Sequence, residues 1–171
     1  MYNLEGKTAI VTGSGRPKGI GEAIIYKLAS EGCNVVITDI GVSKAQFDSE
    51  HIGTTDDMET IATKAKSFGV QAIAVVCDVR YEDQVTKLIK TAKETFGSVD
   101  ILVNNAGIGY IMEPFTEFKE ENWNAVLDVN LKGAFLCSKH AAIAMKAQGT
   151  GGAIINIASQ AAKSGLSLIH I

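Results

Sequence analysis

Proline is almost absent from this chain, with 2 in 171 residues, which argues against proline-rich linkers and long disordered stretches. Cysteine is scarce and odd in number. Cys33, Cys77 and Cys137 lie 44 and 60 residues apart, without the spacing of metal ligands, so buried reduced thiols are expected, with no metal site and no disulfide framework. Neither sign of charge forms a run of five. With 16 Lys and Arg against 19 Asp and Glu the net charge is −3, so the basic patch of a phosphate-backbone binder is missing and nucleic acid is not expected as a partner. No uncharged apolar stretch approaches the ~18 residues of a membrane span. The N-terminus, Met1-Tyr2-Asn3-Leu4-Glu5, has no basic region followed by an apolar one. Neither a membrane nor a secretory location is expected; the expectation is cytoplasmic. What is present is ordinary for one globular domain: 46% hydrophobic and 20% charged residues, in a length that can bury ~70% of the unfolded chain's surface.

Short apolar runs alternate with longer helical patterns, which is the signature of an α/β protein with a doubly wound parallel sheet and helices on both faces. Strands are expected near Thr8–Val11, Asn34–Thr38, Ala72–Cys77, Ile101–Asn104 and Ala153–Ile157. Helices are expected over Gly21–Ser30, Met58–Phe68, Glu82–Phe96 and, as one long element, Glu121–Ala147. Gly32, Gly69, Gly97 and Gly149 each follow such a pattern, where a left-handed cap residue is wanted. In the long segment Trp123, Leu127, Leu131, Ala134, Phe135, Ala142 and Met145 recur at three- and four-residue steps, so one stripe should face a core or a partner. Gly41 to Asp57 has no clear period and reads as a loop with at most a turn of helix.

The first strand runs straight into Thr12-Gly13-Ser14-Gly15-Arg16-Pro17-Lys18-Gly19-Ile20-Gly21, which opens a helix. Glycines let the backbone turn sharply and come close to a bound group. The helix N-terminus offers N–H donors and a partial positive charge to a diphosphate. The second strand ends near Asp39, 18 residues after Gly21, about the separation expected of an acid that accepts both hydroxyls of a ribose. Such a carboxylate repels a 2′-phosphate, so NAD is expected over NADP. Arg16 and Lys18 work against that preference, since either can approach a phosphate. Asp78 closes the third strand and Asn104-Asn105-Ala106-Gly107 the fourth, at the sheet edge where ligands bind in such folds. Turn chemistry alone also gathers Asn, Asp and Gly after strands.

Taken together, the glycine loop, Asp39, Asp78-Val79, Asn104-Asn105-Ala106-Gly107, Asn130 and Ile154-Ile155-Asn156-Ile157-Ala158-Ser159 resemble the short-chain dehydrogenase/reductase family in order and approximate spacing, over residues 5 to about 166. The resemblance implies a Rossmann-type sheet of strand order 3-2-1-4-5 whose last strands are missing. It implies hydride transfer between an alcohol or carbonyl substrate and NAD in a homo-oligomer. Gly13, Ser14, Gly19, Ile20 and Gly21 would cradle the cofactor, Asp39 would hold the adenosine ribose, Asp78 and Val79 would border the adenine, and Asn105, Ala106 and Gly107 would line the remaining wall. The loop has two residues more than the family's TGxxxGxG pattern, which leaves open which of Ser14 to Lys18 touch cofactor; Pro17 has no N–H to offer. Asn130 falls on or beside the apolar stripe, where a buried amide must find partners. In the family the matching residue marks a helix kink and holds a water in a proton relay. Ser159 would hydrogen-bond the reacting oxygen. Gly109, Tyr110, Ile111 and Met112 are candidates to touch substrate.

The family's Tyr-x-x-x-Lys pair, due about a dozen residues after the serine, does not occur in these 171 residues: Tyr2, Tyr26, Tyr81 and Tyr110 all precede Ser159. Lys163 and His170 are the nearest ionisable substitutes, and a solvated role fits them better. Residues 1–166 are read as an incomplete dinucleotide-binding domain, and Ser167-Leu168-Ile169-His170-Ile171 as a tail that departs from the family pattern. A catalytic dehydrogenase and a non-catalytic dinucleotide-binding module are the two readings to separate. A methyltransferase using another adenosine cofactor ranks below both, since the Asn-Asn-Ala-Gly element and Ser159 have no part in it.

Overall fold

A computed structural model of the chain describes residues 4–41, 52–109 and 114–159. The elements follow the apolar runs. Strands β1 (Thr8–Thr12), β2 (Asn34–Asp39), β3 (Ala72–Val76), β4 (Ile101–Asn104) and β5 (Ala153–Asn156) form one parallel sheet in the order β3-β2-β1-β4-β5. Side chains alternate across a strand, so both faces of the central strands need apolar residues. Ile10, Val36 and Leu102 point to one buried layer and Ala9, Val11, Val35, Ile37 and Val103 to the other. Helices α1 (Ile20–Ser30) and α2 (Thr55–Lys66) cover the second layer. Helix α3 (Glu82–Phe96) and the long helical segment after β4 cover the first.

That segment is not one helix. It comprises α4 (Glu120–Leu127), a π-helical stretch (Asp128–Gly133) and α5 (Ala134–Gln148). The wider turn lets Gly133 sit against the β3–α3 connection, where an added Cβ would lie 2.6 Å from Val79 Cγ2. It also changes which residues face inward. Gly133, Leu136, Cys137, Ala141, Ala144 and Met145 are buried, whereas Trp123, Leu127, Leu131 and Phe135 are exposed. Of the expected apolar stripe only Met145 reaches the core: α4 buries none of its residues, and α5 turns Leu136, Cys137, Ala141 and Ala144 inward beside it. Helix α2 begins three residues earlier than the periodicity suggests, since Thr54 and Asp57 form a capping box ahead of the first apolar residue. Gly97 and Gly149 end α3 and α5 in the left-handed conformation. Among the described residues no helix is long and apolar enough to cross a membrane.

All three cysteines are buried and unpaired. Burial first of all pushes each thiol up to about 12, helped at Cys33 by the charge of Asp100 and at Cys77 by its neighbours Cys137 and Asp78. At pH 8 that leaves about one thiol in ten thousand as the reactive thiolate. The folded protein is therefore expected to resist iodoacetamide at pH 8 for hours and to take up three labels only in denaturant. Rapid labelling of the native protein, followed by mass spectrometry, would show otherwise.

Candidate active site

Register brings the strand ends level: Thr12 pairs with Thr38, Asp39 with Val76, and Asn104 with Asn156. The sheet order reverses between β1 and β4, the switch point outside which ligands bind in such folds. Along that edge stand Asp78, then Asp39, the glycine loop, Asn104–Gly107 and the segment ending at Ser159.

The glycine loop is locked to the turn after β4. Thr12 Oγ1 accepts the N–H groups of Asn105 and Ala106, both at 3.0 Å, and donates to the Val103 carbonyl at 3.4 Å. Asn105 Nδ2 donates to the carbonyls of Thr12 and Gly13, each at 2.9 Å. Space is as tight as the bonding. Gly13 is left-handed at φ +61°, and an added Cβ would lie 2.7 Å from Ala106 Cα; one on Gly21 would lie 2.7 Å from the Gly13 carbonyl oxygen. The first turn of α1 is thereby pressed against the loop. Its N-cap, Gly19, brings no side-chain cap, which leaves the helix N-terminus for an anion.

Ser14 was expected to cradle a cofactor. Its hydroxyl instead donates to the Val11 carbonyl at 2.7 Å and accepts Thr38 N–H at 3.1 Å, and its own N–H goes to the Thr38 carbonyl. It is fully buried and ties β1 to β2, so what it offers a ligand is the course of the backbone. In the extended part of the loop Lys18 is left-handed, at φ +59°, and donates its N–H to Glu22 at 2.6 Å, while Gly19 N–H reaches the Arg16 carbonyl.

Asp39, half-buried at the end of β2, accepts Gly15 N–H at 3.1 Å on one oxygen and Ile40 N–H at 2.9 Å on the other. Burial raises its carboxyl above the ordinary range, against the pull of those two N–H groups and of the Arg16 charge. A carboxylate offers about four acceptor positions. The described residues use two, and two remain for a ligand with two adjacent hydroxyls. Asp78 differs. Burial works to raise it, but Arg80, donating from Nε and from Nη2 at 2.6 Å, outweighs that with help from the Lys132 charge and holds it below the usual carboxylate range. Asp78 N–H goes to Gln84, and Val79 is buried beside it.

A cavity of about 540 Å³ opens between β4, β5 and the π turn, lined among others by Asn105, Ala106, Gly107, Asn130 and Ser159. The structure therefore gathers in one place residues separated by more than 50 positions in the chain. Asn130 is exposed rather than buried, yet its amide is paired: Oδ1 accepts Ile108 N–H at 2.9 Å and Nδ2 donates to the Ile108 carbonyl at 2.8 Å. It lies in the π stretch, and the side chain holds the loop after Gly107 in place.

Three contributors escaped the reading of the sequence. Thr12 is one. Ser138 and Asn156 are the others: Asn104 Nδ2 donates to Ser138 Oγ at 2.9 Å and to Asn156 Oδ1 at 2.8 Å, and all three line the same cavity. Asn104 Oδ1 is buried with no partner among the described residues. A polar residue ending each of two apolar runs was the available signal. Of the earlier candidates, Tyr110, Ile111, Met112, Lys163, His170 and the tail 167–171 lie outside the described residues.

A parallel sheet of order 3-2-1-4-5, with an uncapped helix over a glycine turn at its switch point, defines a Rossmann-type nucleotide-binding fold. Comparison with known proteins narrows the class. The short chain dehydrogenase profile matches residues 7–170, and the chain belongs to that family. It is 37% identical over 168 residues to galactitol 2-dehydrogenase of Agrobacterium fabrum, covering 98% of this chain and 58% of that protein. It is 38% identical over 160 residues to glucose 1-dehydrogenase 2 of Bacillus subtilis, covering 93% and 57%. Among solved structures, NAD+-bound xylitol dehydrogenase superposes with a TM-score of 0.83 at 30% identity, over 97% of this chain and 58% of that one. The chain thus spans under three-fifths of the length of each of these relatives.

Proposed function

We propose that the parent protein of this chain is an NAD-preferring oxidoreductase that interconverts an alcohol and a carbonyl in a small molecule, and that these 171 residues, which have no Tyr-x-x-x-Lys pair, bind the cofactor weakly and turn over little or nothing. One observation carries the reading: Asp39 keeps two acceptor positions unused by the described residues, one strand away from an uncapped helix N-terminus, with a loop between them in which Gly13, Gly15 and Gly21 have no room for a side chain. These residues fit a dinucleotide. Gly13, Gly19, Ile20 and Gly21 would take its diphosphate, Asp39 its adenosine ribose, Asp78 and Val79 the adenine end, and Asn105 to Gly107 the opposite wall. Bound there, it would supply the hydride acceptor or donor.

The residues present supply orientation only: the proton exchanged with the substrate oxygen would go to or come from the family's Tyr-x-x-x-Lys pair, which does not occur in these 171 residues. Ser159, on the rim of the cavity, would donate its hydroxyl proton in a hydrogen bond to the substrate oxygen and so orient the carbon that gains or loses hydride. Asn130 holds Ile108 by both backbone groups and keeps the wall of the cavity in register with β4. The same reading places the protein in the cytoplasm as a homo-oligomer, with the exposed Trp123, Leu127, Leu131 and Phe135 available to a second copy, and with neither nucleic acid nor membrane as partner.

Calorimetric titration with NAD, NADP and S-adenosylmethionine tests it. NAD should bind, NADP more weakly, and S-adenosylmethionine not at all. Preferential binding of S-adenosylmethionine, or no binding of either dinucleotide, would discard the reading.

A further inference from the structure

Gly53 belongs to no helix or strand, and it is buried. Its position is fixed from the C-terminal side by Thr54. That residue forms an isolated parallel bridge with Gly41, and Thr55 Oγ1 donates to the Gly41 carbonyl at 3.0 Å. Thr54 also opens α2: its hydroxyl accepts Asp57 N–H at 3.1 Å, and Asp57 Oδ2 accepts the Thr54 N–H at 3.2 Å. A backbone anchored by a bridge and a capping box has little freedom one residue earlier.

The place to which Gly53 is delivered is the backbone of Gly15. An added Cβ on Gly53 would lie 2.2 Å from Gly15 C, 2.4 Å from its O and 2.5 Å from its Cα. Gly53 is not among the left-handed glycines, so this contact, and not a dihedral angle, is what demands glycine there. Gly15 is boxed in on its other sides, since a Cβ on it would lie 2.6 Å from Met58 Cγ and 2.8 Å from Asp39 Cβ. From that box Gly15 donates its N–H to Asp39 Oδ2.

We propose that Gly53 is a specificity-determining positioning residue. By lying flat on Gly15 it keeps the Gly15 N–H on Asp39, and so fixes the carboxylate orientation that accepts a ribose with a free 2′-hydroxyl and turns away one bearing a 2′-phosphate. This rests on the cofactor site proposed above and adds to it a residue from the connection after β2, 14 positions beyond the carboxylate it controls. A carboxylate held by one N–H on each oxygen presents its remaining acceptors in fixed directions. Freed of the Gly15 bond, it would have to be ordered by the ligand at the ligand's expense. The anchor matters to a nucleotide that bonds the carboxylate. It matters little to one that the carboxylate only repels.

The test is calorimetry on the intact protein with NAD and with NADP, for the wild type, Gly53→Ala and Thr54→Ala, with thermal melts alongside. Gly53→Ala is expected to weaken NAD by about tenfold while NADP stays within about twofold, so that the NAD/NADP ratio of affinities falls by about tenfold. Thr54→Ala adds no bulk and removes the capping hydroxyl together with the γ-methyl; it is expected to lower the ratio by about threefold. A parallel loss of both dinucleotides, or an unchanged ratio, would mean that Gly53 is a spacer only and would overturn the proposal. If Gly53→Ala does not fold, an unchanged ratio in Thr54→Ala overturns it alone. A wild type that binds neither dinucleotide fails the cofactor site itself, and the proposal with it. A wild type that binds NAD, with variants of unaltered preference, fails Gly53 alone.

Discussion

Asp39→Ala is expected to raise the Kd for NAD by about a hundredfold or more while changing that for NADP by less than tenfold. Two ribose hydroxyls bonded to an ionised carboxylate contribute ~1.5–3 kcal/mol each, and both bonds go with the carboxylate. NADP has no free 2′-hydroxyl to donate, its 3′-hydroxyl would have to approach past the repelled 2′-phosphate, and in the variant that repulsion is gone. Folding should suffer less than binding. Because burial raises the Asp39 carboxyl above its unfolded value, the ionised group is less favourable in the fold than in the open chain. At neutral pH it therefore costs stability, and the cost is relieved as the pH falls through the raised value. What the variant loses structurally is the acceptor for Gly15 N–H.

The same shift fixes a pH dependence. Ribose hydroxyls donate to the ionised form, so protonating Asp39 removes the better acceptor, and NAD affinity should fall as the pH drops through the raised carboxyl. Asp39→Asn has no such titration, and its weaker NAD binding should be flat over the same range. Titrations at half-unit steps between pH 4 and pH 8 would check both. A wild-type profile parallel to that of Asp39→Asn would remove Asp39 from the ribose site.

Elements set by local chemistry were legible in the sequence. Helix α3 runs over Glu82–Phe96, as its period and the following glycine indicate, because its apolar face, its acidic first turn and its left-handed cap all lie within sixteen residues. The strands were found for the same reason: a buried parallel strand is a short apolar run whatever surrounds it. The glycine loop and Asp39 could be placed because the residues between them are one helix and one strand of ordinary length.

What was hidden depends on partners far away in the chain. Thr12 looks like the last residue of a strand, and only folding puts its hydroxyl under two N–H groups 93 and 94 residues on. Gly53 sits in a segment without period, and nothing within it reveals that Gly15 will lie against it. The π turn escaped because six residues of altered pitch leave the flanking hydrophobic spacing almost intact, although they rotate α5 enough to turn Phe135 outward and Leu136 inward. Ser14 was placed in the cradle by its neighbours, while its hydroxyl is committed to Val11 and Thr38.

The second large effect is expected at Thr12. Its hydroxyl has one proton and two acceptor positions, and all three are used: the proton on the Val103 carbonyl, the lone pairs on Asn105 N–H and Ala106 N–H. Thr12→Val keeps the volume and the β-branch and removes only this chemistry. Two half-buried N–H groups then have no acceptor, at ~1–3 kcal/mol each for full burial, and because both are partly open to water the expected loss of stability is in the lower part of that sum, about 2–4 kcal/mol. It should be read as a lower urea midpoint at unchanged slope and a melting temperature lower by about 5–15 °C. Thr12→Ser, which keeps the hydroxyl, should stay within about 1 kcal/mol of the wild type. Affinity for NAD should follow the hydroxyl, because the bonds that Thr12 accepts fix the turn after β4 against the loop after β1, and a dinucleotide must be held by both. A valine variant as stable as the serine variant would show that Asn105, through its own two bonds to Thr12 and Gly13, is enough to hold the crevice together.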